Sequence, residues 1–236
     1  MDFFDIKLLA TYQNEEFLVI NKPNNLAVQK NKDYSDSLEE ILEKDNSLFS
    51  ALPRCGIVHR LDRQTTGILI VAKNFSMFAF LTALFKTRKI KKIYLALLRG
   101  NITSDSGEIR FYIEKDFTNN QFRMKLNSQK GKLVNMTFQV IERLANFTLV
   151  EIYPLTGRTH QIRLACQKIN YPIYNDPVYS SICKNKEIGQ YLHAYSLEFI
   201  DNQNQKKYFS VALPEFFINK LKILGSKKWQ KYCEII

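Results

Sequence analysis

The sequence predicts an α+β fold with a largely antiparallel sheet, on three observations. Short runs that read as strands outnumber runs with helical periodicity. Many of these strands follow one another directly, with only turn residues between them, as sequential antiparallel strands do. No internal repeat, low-complexity tract or Pro/Gly/Ser-rich linker interrupts the 236 residues, so a single domain over residues 1–236 is expected.

The elements follow in order. Residues 17–21 are a short apolar run stopped by Lys22-Pro23, a strand running into a turn. Ser37 followed by Glu40 has the form of a capping box and opens a helix over residues 38–44. Residues 68–72, Ile-Leu-Ile-Val-Ala, are wholly apolar and rich in β-branched side chains, which marks a buried strand. Residues 75–89 place Met77, Phe78, Leu81, Leu84 and Phe85 at helical spacing and end in basic residues, which suit a helix C-terminus. That stripe reads as core rather than as a stacking platform.

A strand over residues 93–98 is closed by Arg99-Gly100. Residues 108–113, 134–144 and 147–153 alternate as antiparallel strands, with a hairpin turn at Leu144-Ala145-Asn146. Residues 159–167 read as a helix that Tyr171-Pro172 brings to an end. Late strands over 192–200 and 207–213 flank a polar turn at 201–205, and a helix over 215–224 follows.

Composition narrows the function. The chain is 45% hydrophobic, with 17 Phe and 12 Tyr for a core, and carries a net charge of +11 with a pI near 9.4. Such an excess favours an acidic partner, of which a phosphate backbone is the commonest. Cys55, Cys166, Cys183 and Cys233 are far apart and lack the paired spacing of a structural zinc site or a disulfide framework. The start, Met1-Asp2-Phe3-Phe4-Asp5, is acidic where a signal peptide is basic, and no apolar run approaches the ~20 residues of a membrane helix. A cytoplasmic protein with no membrane association is therefore expected, and a monomer.

Two polar knots carry the chemistry. The first, His59-Arg60-Leu61-Asp62-Arg63-Gln64-Thr65-Thr66-Gly67, sits directly before the buried strand, where a rigid scaffold can hold reactive groups. A carboxylate flanked by Arg60 and Arg63 is favoured in its ionised form. Alone, the segment reads as a solvated turn whose Asp caps something local. The second knot, Thr156-Gly157-Arg158-Thr159-His160-Gln161-Ile162-Arg163, follows a strand. Thr156 is a candidate helix cap and Gly157 a candidate tight turn, which would put Arg158, Thr159, His160 and Arg163 on the first helical turns, where backbone N–H groups attract anions. Alone, this reads as a capped surface helix.

Together the two knots resemble the RluA-type family of RNA pseudouridine synthases. The family signature His-Arg-Leu-Asp-x-x-Thr-Ser/Thr-Gly, ending in Ala-Lys, is matched from His59 through Ala72-Lys73, and Leu-Thr-Gly-Arg-Thr-His-Gln-Ile-Arg is matched at Leu155 to Arg163. Asn21-Lys22-Pro23, Lys92-x-Tyr94-x-Ala96 with Gly100, Pro172-Ile173-x-x-Asp176-x-x-Tyr179 and Leu192-His193-Ala194 also match, in family order, over roughly residues 14–214. The resemblance implies a pseudouridine synthase fold: a mixed, mainly antiparallel central sheet with flanking helices and a basic RNA-binding cleft. Because the family pattern begins near Asn14, no N-terminal RNA-binding module is expected.

The implied reaction detaches uracil from its ribose, turns it over and rejoins it through carbon 5. Nothing is oxidised, added or lost, so no cofactor and no metal are expected. By resemblance, Asp62 is the carboxylate that acts at the sugar, either as nucleophile at the anomeric carbon or as base at the 2′ position. Arg163 pairs with it, since a guanidinium fork keeps a desolvated carboxylate charged and oriented. Tyr94 packs on the target uracil, and its hydroxyl is placed to help move the carbon 5 proton. Arg60 matches the arginine that fills the space left by the extruded uridine, since extrusion costs a few kcal/mol of stacking. Arg63, Arg158, His160 and Lys92 are expected to contact RNA. Ile162 is a candidate floor of the uracil pocket, or simply core.

Lys22, Lys73, Lys89 and Lys91 are read as touching phosphate or solvent. His59, His160 and His193 are read as hydrogen-bonding groups rather than metal ligands. Three positions depart from the family pattern. Thr66 stands where serine is commoner and keeps the hydroxyl. Leu164-Ala165-Cys166 stands where Val-His-Leu is usual, so one RNA or core contact is missing. Asn175 replaces a glycine before Asp176, and Asn tolerates left-handed backbone. Residues 53–58, Pro-Arg-Cys-Gly-Ile-Val, look most like branches that modify large-subunit ribosomal RNA, which is the favoured substrate, with transfer RNA the alternative. A non-catalytic RNA-binding protein on the same fold is the rival reading, against which Asp62, Tyr94 and Arg163 count.

Overall fold

The computed structural model describes residues 6–30, 37–45, 47–118, 121–127 and 131–233, so the acidic start at residues 1–5 lies outside it. The strands are β1 (Ala10–Gln13), β2 (Phe17–Lys22), β3 (Thr66–Ala72), β4 (Lys91–Arg99), β5 (Ser106–Thr118), β6 (Gln121–Asn127), β7 (Lys132–Leu144), β8 (Phe147–Pro154), β9 (Leu192–Ile200) and β10 (Lys206–Ser210). The helices are α1 (Ile6–Leu9), α2 (Leu38–Asp45), α3 (Ser47–Ser50), α4 (Phe75–Lys86), α5 (Gln161–Lys168) and α6 (Glu215–Ile223), with short 3-10 turns at Pro53–Gly56 and Trp229–Tyr232. The chain divides into two compact units: Met1–Ile90 with Ala194–Pro214 and Tyr232–Ile236, and Lys91–His193 with Glu215–Lys231. The expected α+β class with mainly antiparallel pairing holds in both.

In the first unit the strand order is β1-β2-β3-β9, with β10 on β9. Every residue of β3 is buried, as its unbroken apolar run demands of a strand covered on both faces. It pairs antiparallel with β2 from Phe17↔Ala72 to Lys22↔Gly67. Ser37 caps the helix as expected, accepting the Glu40 N–H at Oγ, while its hydroxyl donates to the Glu40 carboxylate at 2.9 Å in place of the backbone bond of a full capping box. Helix α4 is capped by Asn74, whose Oδ1 accepts the Met77 N–H at 2.8 Å, and buries Met77, Leu81 and Leu84. It stops at Lys86, three residues earlier than its basic tail implies. Arg88 turns left-handed (φ 60°), and the Lys89 N–H closes back on the Leu84 carbonyl at 2.9 Å, a Schellman ending. Lys89 is therefore off the helix. Strand β1 has no counterpart in the sequence reading, since its Ala-Thr-Tyr-Gln lies on a half-exposed edge with no apolar alternation to mark it.

In the second unit the order is β4-β8-β7-β5-β6, all antiparallel. The hairpin at 144–147 forms with Ala145 in the left-handed region (φ 45°). Strand β5 runs to Thr118 rather than to residue 113, because β6, which the sequence reading missed, pairs with it from Tyr112↔Asn127 to Thr118↔Gln121. Pairing, not local pattern, extends the strand. One core cluster joins Ala96 and Leu98 of β4, Ile109, Phe111 and Ile113 of β5, Met136 and Phe138 of β7, Ile152 of β8, and Ile162, Leu164, Ala165 and Cys166 of α5. Among the described residues, no helix is long and apolar enough to cross a membrane.

Candidate active site

The first knot is a loop held from behind by β3, the strand that follows it. Past the Pro53–Gly56 turn, Ile57 bridges Val71 of β3, so the approach to the signature runs beside the strand that follows it. Gly56 is required there: with φ at 79°, a Cβ would lie 2.1 Å from the Ala72 carbonyl oxygen. His59 Nε2 accepts the Ile70 N–H at 3.0 Å, and its ring stacks on Phe85 of α4 at 4.4 Å. Leu61 is buried, and the half-buried Asp62 opens a turn in which its carbonyl accepts the Thr65 N–H at 3.0 Å. Thr65 and Thr66 are buried again as β3 begins. Gly67 (φ 114°) allows β9 to approach, because a Cβ there would sit 2.2 Å from the Ala194 carbonyl oxygen.

Lys22 overturns the expectation made for it. It is not on the surface but fully buried, at 0% exposure. Its Nζ donates to three backbone carbonyls: Pro23 at 2.8 Å, Leu26 at 3.0 Å and Arg63 at 2.9 Å. The last bond fixes the carbonyl of the residue after Asp62. Burial pushes the Lys22 ammonium down to about 7; the negative charge of Asp62 opposes that fall, and Arg63 adds a smaller push in the same direction as burial. Further ties fasten the loop to the segment after β2: Gln64 Nε2 donates to Asn25 Oδ1 at 3.3 Å, and the exposed Arg60 donates to Gln29 Oε1 at 3.3 Å. Lys73 likewise turns inward, donating to the Asn14 carbonyl.

The second knot folds differently from its expectation. Helix α5 begins at Gln161, with His160 as its first flanking residue in the left-handed region (φ 52°) and no side-chain cap. Arg158, Thr159 and His160 therefore precede the helix instead of forming its first turns. The tight turn is made by His160 and not by Gly157, whose Cβ position is open and whose backbone is not left-handed. Thr156 acts on a side chain: its hydroxyl donates to Gln161 Oε1 at 2.7 Å and accepts the Asn135 N–H of β7. Gln161 Oε1 also accepts the Arg158 N–H at 3.0 Å, so the loop closes on the first residue of the helix.

Arg163 is buried at 5% exposure, and Asp176 completely so. Arg163 donates from Nε to Asp176 Oδ2 at 2.7 Å and from Nη2 to Oδ1 at 2.9 Å, a side-on fork. Oδ1 also accepts the N–H groups of Val178 and Tyr179, at 2.8 and 2.9 Å. The Tyr179 ring lies 5.3 Å from the Arg163 guanidinium carbon, and its hydroxyl is 2.9 Å from His160 Nδ1. Asn175 takes the left-handed backbone (φ 61°) that a glycine would supply. Its side chain binds the backbone at Lys184, Asn185 and Gly189, so the substituted turn is kept. Ala165, at the position of the missing histidine, is fully buried core.

Tyr94, half-buried on β4, packs against the core cluster to which Ile162 belongs. Lys92, two residues earlier on the same face of β4, has its ammonium pushed down by burial. Arg158 is exposed. Asp62, Arg60 and Arg63 thus belong to the first unit, and Tyr94, Lys92, Arg158, His160, Ile162 and Arg163 to the second. The sequence reading passed over the work of Lys22, Asp176 and Tyr179. Their signal was present in Asn-Lys-Pro and Asp-x-x-Tyr: an Asp three residues before a Tyr can accept that residue's own N–H, which frees its outer edge for a cation.

Residues 16–168 match the family described as RNA pseudouridylate synthase. The ribosomal large subunit pseudouridine synthase D of Borreliella burgdorferi is 31% identical over 221 residues, covering 91% of this chain and 68% of that protein. An RNA pseudouridine synthase of Mycoplasma pneumoniae is 35% identical over 233 residues, covering 95% and 72%. The fold matches that of human RNA Pseudouridylate Synthase Domain Containing 4, with a TM-score of 0.76 at 23% identity over 93% of this chain and 95% of that one. The chain belongs to the RNA pseudouridylate synthase family. Within it the protein is of the RluA type, an isomerase that converts uridine to pseudouridine in RNA.

Proposed function

We propose that this enzyme isomerises a particular uridine of large-subunit ribosomal RNA, with Asp62 as the carboxylate that acts at the ribose. The observation that carries this reading is the anchoring of the Asp62 loop: Lys22 grips the adjacent Arg63 carbonyl, and the Asp62–Thr65 turn closes in front of the wholly buried β3. A carboxylate on such a scaffold keeps its direction without the cost of ordering a mobile loop at the moment of reaction. Asp62 then attacks the anomeric carbon, or takes the 2′ proton, while the bond from ribose to the uracil nitrogen breaks. The freed base turns over and carbon 5 bonds to the anomeric carbon as the Asp62 carboxylate leaves it or, in the alternative route, as the 2′ position takes its proton back. The carbon 5 proton then leaves to restore the ring, and the released ring nitrogen takes up a proton.

In this reading Arg163 keeps the Asp62 carboxylate ionised and aimed, and Tyr94 stacks on the uracil and assists loss of the carbon 5 proton, with Ile162 beneath the base. Arg60 enters the space vacated by the flipped nucleotide. Arg63, Arg158, His160 and Lys92 hold RNA, in keeping with a net charge of +11. Ribosomal RNA is favoured over transfer RNA because the Borreliella burgdorferi relative is named for the ribosomal large subunit.

Pseudouridine mapping across total RNA from cells with the wild-type protein, without it, and with Asp62→Asn is the test. One or more large-subunit positions should be lost both without the protein and in the variant, and purified Asp62→Asn should be slower by roughly a thousandfold or more while binding RNA as before. Losses confined to transfer RNA would overturn the substrate, and an active Asp62→Asn would overturn the carboxylate.

A further inference from the structure

We infer that Asp176 and Tyr179 form a buried positioning unit that sets the direction of the Arg163 guanidinium and locks it to His160 and to strand β6. The inference rests on the reading above, in which Arg163 serves the reacting carboxylate, and adds the groups that make it able to do so.

The geometry starts at Asp176. Its carboxylate accepts four hydrogen bonds, two from Arg163 and one each from the N–H groups of Val178 and Tyr179, and the residue is fully buried. A carboxylate held by two N–H groups of its own turn cannot swing, so the cation it grips cannot swing either. A guanidinium offers five N–H donors in a rigid plane. Asp176 engages Nε and Nη2, so the Nη1 edge lies on the side away from the carboxylate. Monodentate contact would leave that edge free to roll about the side-chain axis; the fork does not.

Tyr179 supplies the second constraint. Its ring lies under the guanidinium at 5.3 Å, which limits tilt out of the plane. Its hydroxyl accepts the Met124 N–H of β6 at 2.9 Å, and has His160 Nδ1 at 2.9 Å and the Met124 carbonyl at 3.3 Å within reach of its own O–H. His160 is the left-handed residue that turns the Arg158 loop into α5. One phenol therefore joins three things: the plane of Arg163, the turn that presents Arg158 and His160, and the β5–β6 hairpin. None of these contacts requires Asp176 or Tyr179 to touch RNA, so both are positioning residues.

The test uses the full-length protein and total RNA from cells lacking it, labelled with tritium at uridine carbon 5. Tritium release is followed in a single turnover, and affinity for the same RNA is measured by filter binding. Arg163→Gln is the reference. Asp176→Asn should slow release by about a hundredfold and Tyr179→Phe by about tenfold, with RNA affinity changed by less than about threefold in each. Tyr179→Phe keeps the ring and its packing, so it decides the matter if Asp176→Asn does not fold. Wild-type rates in Tyr179→Phe and Asp176→Asn beside a slow Arg163→Gln would overturn the inference and spare the role of Arg163. A fast Arg163→Gln would remove that role and the inference with it. Rate and affinity falling together would mark the pair as RNA-binding or merely structural, and would also overturn it.

Discussion

Among the described residues each unit buries one cation, Lys22 in the first and Arg163 in the second, and the two are satisfied in opposite ways. In the first unit Lys22 is surrounded by three backbone carbonyls. Carbonyl dipoles satisfy hydrogen bonds but do not repay the loss of hydration of a full charge, so the ammonium is pushed down to about 7. In the second unit Arg163 meets a full carboxylate in a fork. A guanidinium does not give up its proton in a protein, so Arg163 keeps its charge over the whole working range. Lys22 ties down the loop of Asp62; Arg163 is itself tied down, by Asp176. The cation that holds its proton is the one given a carboxylate, and the adjustable one is met by carbonyls.

Breaking the permanent pair has the larger expected effect. Asp176→Ala leaves a guanidinium buried without its carboxylate and should lower stability by about 3–5 kcal/mol, read as a fall in the urea midpoint. A loss below about 1 kcal/mol would mean that the fork is replaceable by water.

The Lys22 anchor sharpens the contrast through pH. In the unfolded chain this lysine keeps its proton to about pH 10.4, and in the folded one only to about 7, so between those values the unfolded state binds the extra proton. Stability therefore rises with pH across that window, by up to roughly 1.4 kcal/mol per pH unit from this one group, and the penalty is fully present below about pH 7. Unfolding curves from about pH 7.5 to about pH 9 should show this slope in the wild type and a flatter one in Lys22→Met. Equal slopes would mean that Lys22 stays charged throughout.

The smallest effect concerns how the two helices are entered. Helix α4 begins with a side-chain cap from Asn74, whereas α5 begins from left-handed His160 with none. Asn74→Ala should cost about 1 kcal/mol in the urea midpoint and leave pseudouridine formation unchanged. A loss of activity would mean that α4 also holds His59 through Phe85 in a way the reaction depends on.

Much of this was legible from local pattern. The strands at 17–22, 66–72, 132–144 and 147–154 were found to within two residues, because alternation, apolar runs and turn residues act between near neighbours. Strand β6 and the length of β5 were not, since their register comes from each other. At the site, the loop of Asp62 and the segment of Arg163 stood out by residue type, but Asp176 was not seen as the partner of Arg163 and Lys22 was misread as touching phosphate or solvent. A lysine in a sequence carries no mark of the carbonyls that will surround it.

The sequence by itself determined which groups are present: one carboxylate between two arginines before a buried strand, a Thr-Gly-Arg-Thr-His loop, and a charge of +11 suited to RNA. The tertiary structure decided their partners. Lys22 reaches the Arg63 carbonyl across 41 positions, and Arg163 reaches Asp176 across 13. The physical reason is burial. Once a charge leaves water, its energy depends on the few groups within about 3 Å of it. Those groups are set by how distant segments pack, not by neighbours in the chain.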